Sequence, residues 1–312
     1  MLDLMTGTDI AAVLVTGPTR GLGRALVDVL AAHAPRPPLL LAGRAGTARL
    51  AAATGARAVA LDLEDLGAVA GAARAVAELV RSGSVPPLGA VVANAGLQVT
   101  DRRQRSADGH ELTFAVNVLA QHQLLRGLLP ALAPGAHVVL LGSGTHYGDL
   151  RSLGLVAPPR WEDPRDLARA DVGEDAGSPA AGQRAYATSK LAVVLLAHAW
   201  QRRHPRLRVN VYDPGLMPGT GLARAMSPAR QWAWRHVLPA LRVLPGVTTP
   251  RASARHLAAL ALGETHPALR GGYVDLGRET RSSPASHDRA AEDRLWEVAE
   301  ELCASGAVTR PT

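Results

Sequence analysis

Residues 10–23 read IAAVLVTGPTRGLG, and the junction inside this stretch decides the fold class. Ile10–Thr16 is a continuous apolar run, as expected of a parallel strand buried on both faces. Glycines then fall at Gly17, Gly21 and Gly23, where a helix over Gly21–Ala32 is expected to open. In that spacing they permit a tight turn and let backbone N–H groups approach a pyrophosphate at the positive end of a helix. Glycine-rich turns also arise for purely conformational reasons, so the preceding strand is what gives the spacing its weight.

Outward from this junction the same rhythm continues. Leu39–Ala42, Ala56–Leu61, Ala90–Ala93, His137–Leu141, Arg208–Tyr212 and Gly272–Asp275 read as strands. Helical patterns lie at Ala45–Ala53, Leu66–Arg81, Glu111–Leu132, Gln183–Arg203, Trp232–Leu244, Arg251–Leu262 and His287–Cys303. Strands alternating with helices imply βαβ units, hence an α/β fold with a doubly wound parallel sheet in three layers and ligands at the carboxyl ends of the strands. Residues 146–183 are rich in Pro, Gly, Asp and Arg without a clear period and read as a long loop insertion. With no internal repeat, residues 1–312 read as one domain, with 216–250 as a lid over the substrate side and 280–312 as a C-terminal helical tail.

Composition narrows the function classes. The 312 residues are 47% hydrophobic with one Phe, four Tyr and five Trp, which gives a large core of Ala, Val and Leu and excludes a disordered chain. A single cysteine, Cys303, removes a disulfide framework, and none of the 11 histidines falls in a metal-like spacing, so no metal is expected. The start, MLDLMTGTDI, has neither a basic nor an apolar segment of the kind that targets export. The longest apolar run, Leu191–Trp200, is far short of the roughly 20 residues that span a bilayer, so a cytoplasmic protein without an integral membrane segment is expected. The net charge of +7 comes from scattered arginines rather than a stripe interleaved with aromatics, which argues against a nucleic-acid partner.

Two local features point to chemistry. The second strand ends in Gly43-Arg44, where a carboxylate would favour NAD and an arginine accommodates the 2′-phosphate of NADP. Arg20 lies in the glycine turn, and two guanidinium forks suit a dianion, so NADP (as NADPH) is the cofactor expected. Tyr186-Ala187-Thr188-Ser189-Lys190 then opens the helix after the insertion, with phenol and ammonium at i and i+4 on one face. A free phenol titrates near ~10, so proton transfer at neutral pH needs a cation nearby. Of 34 basic residues 33 are Arg, and the sole Lys is Lys190. A compact ammonium on a flexible stem serves a phenol and a ribose together better than a planar fork does.

With these residues in place, the sequence resembles the short-chain dehydrogenase/reductase family over nearly its whole length. The match takes in TGPTRGLG (16–23), Asp62-Leu63, Asn94-Ala95-Gly96, Asn117, Ser143, YATSK (186–190) and Pro214-Gly215, in that order. The resemblance implies a Rossmann-like fold and an Asn-Ser-Tyr-Lys active site. Tyr186 would be the general acid or base, Ser143 would bond the substrate oxygen, and Asn117 would organise a water link to solvent. Lys190 would hold the nicotinamide ribose and lower the Tyr186 pKa, with Thr145 an alternative to Ser143. Gly17, Arg20, Gly21, Leu22 and Gly23 would cradle the cofactor with Arg44, while Asp62 and Leu63 border the adenine and Asn94, Ala95 and Gly96 the adenosine ribose. Tyr186, Lys190, Pro214, Gly215 and Thr220 would complete the cofactor contacts at the nicotinamide end.

The long gap between Ser143 and Tyr186, the segment Leu216–Arg224 and the tail RLWE (294–297) are similar to the branch of retinol dehydrogenases and protochlorophyllide reductases. Leu216 stands where the protochlorophyllide enzymes carry Cys, which argues against light-driven C=C reduction. Trp161, Met217, Met226, Trp232 and Trp234 gather large apolar surface in the two segments expected over the nicotinamide, so a bulky, lipophilic carbonyl compound or secondary alcohol is the expected small-molecule substrate. The same side chains also suit core and lid packing, while Trp232, Trp234, Val237 and Leu238 also suit a dimer contact or a membrane-surface helix, and the sequence leaves homo-oligomerisation open. A non-catalytic NADP-binding sensor or scaffold is the alternative reading, and a sugar-nucleotide epimerase a third that the Asn94-Ala95-Gly96 turn disfavours. His146, three residues past Ser143, reads as a loop residue.

Overall fold

The structure is a computed structural model that describes residues 11–148, 157–170, 176–217 and 248–306. Its centre is an eight-stranded sheet: β1 (Ala12–Thr16), β2 (Leu39–Gly43), β3 (Arg57–Ala60), β4 (Leu88–Ala93), β5 (Leu132–Leu141), β6 (Arg208–Asp213), β7 (Tyr273–Asp275) and β8 (Arg278–Thr280). The spatial order is β3-β2-β1-β4-β5-β6-β7-β8, and the order reverses direction between β1 and β4. The first seven strands are parallel and β8 returns antiparallel to β7.

Alternation along β1 distributes its side chains between two cores. Val13 and Val15 join the cluster under α1 (Gly21–Ala31), which packs on the helix we label α8 (Pro250–Ala261). Ala12 and Leu14 join the larger cluster on the opposite face. There lie α3 (Leu66–Arg81), α5 (Ala120–Leu128), α7 (Pro179–Arg203) and α9 (Arg289–Gly306). Short helices α2 (Thr47–Thr54), α4 (Leu112–Phe114) and α6 (Pro164–Leu167) complete the described elements. The three-layer doubly wound fold expected from the sequence is therefore the fold observed.

Differences from the sequence reading have local causes. The helix expected over Glu111–Leu132 is α4, a π-helical turn at Ala115–Leu119, α5 and a 3-10 turn at Leu129–Ala131. α7 starts at Pro179, ahead of the expected Gln183, because the Ser178 side chain accepts from Ala181 N and Pro179 fits the first turn. The segment 146–183, read as a long loop insertion, contains the end of a 3-10 turn at Gly144–Tyr147 and α6, capped by Asp163. β8 escaped the reading because its three residues are exposed and polar. Within the expected lid, residues 218–247 lie outside the described residues, and with them Thr220, Met226, Trp232 and Trp234. Trp161 is half-buried and packs against the larger core.

α9 covers the outer face of α7. Leu295, Val298, Ala299 and Cys303 are fully buried there, and Trp296 packs edge-on to Trp200 with ring centroids 5.0 Å apart. Ion pairs tie it down: Arg202 to Glu292 at 2.8 Å, Arg294 to Asp163 at 2.7 Å, and Arg165 to Glu301. The fully buried His122 of α5 meets Glu300 at 2.9 Å.

Candidate active site

The glycine turn is held from behind by the end of β4. Asn94 donates to Thr16 O (3.0 Å) and Gly17 O (3.1 Å), and Ala95 N donates to Thr16 Oγ1 (2.9 Å). A Cβ on residue 23 would lie 2.1 Å from Gly17 O and 2.5 Å from Asn94 Nδ2, so only glycine fits. Gly17 and Gly21 have φ of 63° and 53°, where an L side chain is strained. Leu22 is buried, and α1 opens with no side-chain cap from Arg20 and no acid in its first turn. By contrast α3, α6, α7 and α8 each have a side chain on their first N–H groups. An uncapped helix start behind a glycine turn leaves donors for a phosphate.

Beside it lies the end of β2. Pro18 and Thr19 abut Gly43 and Gly46, whose Cβ positions would be 3.3 and 3.7 Å from Pro18 Cδ and Thr19 Cγ2. Arg44 is exposed and bonds Glu64 at 2.7 Å, with Asp62 at 3.8 Å. Asp62 in turn accepts from Glu64 N at 3.0 Å, and Leu63 is buried. The sequence reading named Arg44, Asp62 and Leu63 but not Glu64, which only the folded turn brings to the guanidinium.

At the carboxyl ends of β5 and β6 the four family-type residues come together. Ser143 leaves β5 beside the Tyr186 phenol, close enough for its hydroxyl to ease the phenol's ionisation. Thr145 donates to Ser143 Oγ at 3.2 Å. Lys190 Nζ is 5.7 Å from the Tyr186 ring centroid and donates to Leu141 O at 2.8 Å. Asn117 sits in the π-helical turn, donating to Leu97 O and Ser189 Oγ and accepting from Leu97 N, each at 2.9 Å. Gly96 lies between them, its Cβ position 3.0 Å from Asn117 Oδ1 and 3.7 Å from Lys190 Nζ. Gly215 turns with φ 69°, and Ser253 of α8 donates to Pro214 O at 3.1 Å.

Burial dominates the electrostatics. It pushes the Tyr186 phenol up to about 12, against the pull of the Ser143 hydrogen bond and helped by the negative charge of Asp213. The sequence reading expected Lys190 to lower this value; burial, the largest cause, raises it instead. Burial likewise brings Lys190 down to about 8, with Asp213 acting the other way. Asp213 itself is raised to about 6 by burial, opposed by a hydrogen bond from Tyr273.

Asp213, Tyr273 and His146 were not anticipated as a group. Asp213 Oδ2 accepts from Tyr273 OH at 2.7 Å and Oδ1 from Gly215 N at 3.0 Å. His146, read as a loop residue, is almost wholly buried. Ser283 N donates to its Nε2 at 3.1 Å, so the proton is on Nδ1, which donates to Ser143 O at 2.8 Å. A further unforeseen brace is Gln121, donating to Ala95 O at 3.2 Å. Among the described residues no three His, Cys, Asp or Glu are grouped to hold a metal ion, and no helix is long and apolar enough to cross a membrane.

A doubly wound sheet with a glycine turn at its crossover and a Ser-Tyr-Lys cluster beside it defines a class of nucleotide-dependent oxidoreductase. Comparison with known proteins agrees. The short chain dehydrogenase family model matches residues 11–148. A "probable oxidoreductase" of Streptomyces lividans is 30% identical over 94% of this chain and 97% of its own. A polyprenol dehydrogenase of Danio rerio is 33% identical over 67% of this chain, which spans 60% of that protein. Among solved structures, the angucycline C-6 ketoreductase LanV with bound NADP superimposes with a TM-score of 0.60 at 23% identity, covering 87% of this chain and 96% of its own. The chain belongs to the short-chain dehydrogenase/reductase family and is an oxidoreductase of that family.

Proposed function

We propose that this single-domain protein transfers hydride between NADP(H) and a carbonyl or secondary alcohol of a bulky, apolar small molecule. The observation that carries the reading is the gathering of Ser143, Tyr186 and the buried Lys190 at the carboxyl ends of β5 and β6. With its ionisation at about 12, the Tyr186 phenol is protonated through the neutral range, the form that can give a proton to a carbonyl oxygen. Ser143, braced by Thr145, would share that oxygen and orient it. Once Tyr186 has given up its proton, the Lys190 ammonium favours the phenolate left behind. Asn117 holds the loop at Leu97 against the catalytic helix. In oxidation the same groups run in reverse.

The residues present fit a nicotinamide dinucleotide. Gly17, Gly21 and Gly23 clear a path to the uncapped start of α1 for the pyrophosphate. Arg44, with Arg20 from the glycine turn, offers charge for a 2′-phosphate. The Arg44–Glu64 pair is exposed and worth roughly 0–1 kcal/mol, less than the ~1.5–3 kcal/mol of a hydrogen bond to a charged group, so a phosphate dianion displaces Glu64. When bound, the nicotinamide supplies or accepts the hydride. The name of the polyprenol dehydrogenase relative, an enzyme of a long apolar alcohol, favours a lipophilic substrate here.

Titration with NADPH and NADH, followed by nicotinamide fluorescence, tests the reading. Preference for NADPH, weakened in Arg44→Ala, supports it, as does turnover of bulky ketones or aldehydes that Tyr186→Phe abolishes. Binding of neither nucleotide refutes it. NADPH binding without turnover of any of a wide carbonyl panel favours the sensor.

A further inference from the structure

Lys190 is the one lysine of the chain, and its ammonium is enclosed, only 6% of the residue being exposed. Among the described residues its hydrogen bond goes to a neutral acceptor, Leu141 O at 2.8 Å. A carbonyl does not compensate a buried charge. The register of the sheet supplies a candidate counter-charge. Leu141 on β5 pairs with Tyr212 on β6, so the next residue, Asp213, lies one step beyond the carbonyl that holds Lys190, on a strand about 4.8 Å away. Asp213 is as deeply enclosed as Lys190, with 6% exposed.

The carboxylate is fixed rather than incidental. Tyr273 OH donates to Oδ2 at 2.7 Å and Gly215 N to Oδ1 at 3.0 Å. A Cβ on Gly144 would lie 3.5 Å from Oδ2, so the carboxylate borders the turn that carries Ser143. Gly142 is itself required, since a Cβ there would be 2.6 Å from Val211 Cγ1 and 3.1 Å from Tyr273 Cε2. The glycines flanking Ser143 thus make room for the pair Tyr273–Asp213.

We propose that Asp213 is the positioning residue that supplies the counter-charge to Lys190, keeping it an ammonium beside Tyr186, with Tyr273 and the Gly215 amide aiming the carboxylate. The proposal rests on the reading of Tyr186 and Lys190 as the proton-transfer pair. The other groups around the pair have settled roles. On α7 the near group is Tyr186, from the π-helical turn Asn117 is neutral, and from the β5 end Ser143 brings a neutral hydroxyl beside the phenol. On β7, Asp275 pairs in register with Asp213 and its charge makes ionisation of Asp213 harder. His146 packs tilted and Tyr147 edge-on against Tyr273, with His146 neutral on the hydrogen-bond pattern given above. With Asp213 ionised above about 6 and Lys190 charged below about 8, both are charged through the neutral range.

A single lysine makes this directly readable. Protein labelled with [13C]lysine gives one side-chain Cε resonance, that of Lys190, whose pH titration reports its charge without substrate or nucleotide. In the wild type the resonance is expected to show its main inflection near 8 and a smaller one near 6, where Asp213 takes up a proton. In Asp213→Asn the small inflection disappears and the main one moves about one pH unit or more to lower pH, the usual effect of losing an adjacent opposite charge. In Tyr273→Phe, which keeps the carboxylate but removes one donor, the small inflection moves to higher pH; this variant decides the matter if Asp213→Asn does not fold. Asp213→Glu should restore part of the main shift. An unmoved Lys190 inflection in folded Asp213→Asn, or no response to Asp213 in the wild type and Tyr273→Phe, overturns the proposal. If neither NADPH nor NADH binds while the Lys190 inflection moves as stated, the functional reading falls and the charge pair stands; the reverse pattern removes the pair alone.

Discussion

A methyl group added at residue 23 would sit 2.1 Å from Gly17 O, against backbone that has no freedom to retreat because Asn94 clamps it. Gly23→Ala is therefore expected to abolish NADPH-dependent fluorescence change even if the protein folds, and retained binding would show that the turn does not take the pyrophosphate. The neighbouring exposed charges act more gently. Removing the carboxylate that competes for Arg44, as in Glu64→Gln, should tighten NADPH by a few-fold, up to about tenfold for an exposed pair worth ~1 kcal/mol, and leave NADH nearly unchanged in the same titration. The glycines, Arg44, Tyr186 and Lys190 were legible in the sequence because their meaning is local: a turn, a strand end, an i,i+4 pair. Glu64, Asp213, Tyr273 and His146 were not. Asp213 and Tyr273 stand 60 positions apart, and only the pairing of Val211 with Tyr273 places their side chains in reach.

At the level of elements, most long periodic or apolar segments among the described residues were found to within a few residues, as were the short strands β3 and β7, while α6 and β8 were missed. α6 and β8 are four and three residues long, too brief for a period to register. The π-helical turn at Ala115–Leu119 carries no sequence mark of its own; Gln121, bonded to Val116 O at 3.1 Å and to Ala95 O, shows what its extra width accommodates. The candidate site itself hangs on α7, whose apolar run Leu191–Trp200 is buried on most sides, with α9 lying over it. Leu295 is fully buried at that contact. Leu295→Ala should cost about 2–5 kcal/mol, read as a lower urea midpoint or a melting temperature reduced by several degrees. A loss under ~1 kcal/mol would mean that α9 is not an integral part of the core.

For the molecule as a whole, the burial of Lys190 and Asp213 is a burden on stability. Asp213 has its ionisation raised to about 6, so the folded state holds a proton more tightly than the unfolded chain and stability falls as pH rises from about 4 to 6. Lys190 is brought down to about 8, so the folded state gives up its proton sooner and stability rises again between about 8 and 10.5. Between those limits both charges weigh on the fold. The double replacement Lys190→Met with Asp213→Asn is expected to leave stability at pH 7 unchanged or to raise it by up to about 4 kcal/mol, while removing activity. Urea unfolding at pH 7 of both proteins checks this; a large loss would mean that the pair stabilises the fold.

The cover that α9 gives to α7 has a consequence for how the polypeptide is made. The ribosome releases α7, with Trp200 on its outer side, well before it releases Arg289–Gly306. At ~5–20 residues per second the apolar flank of α7 stays bare for on the order of ten seconds during every round of synthesis. For that interval the nascent chain presents a sticky surface to whatever surrounds it, and shielding by a chaperone, or the speed of the ribosome over the last third of the message, sets how much of the product reaches the folded state.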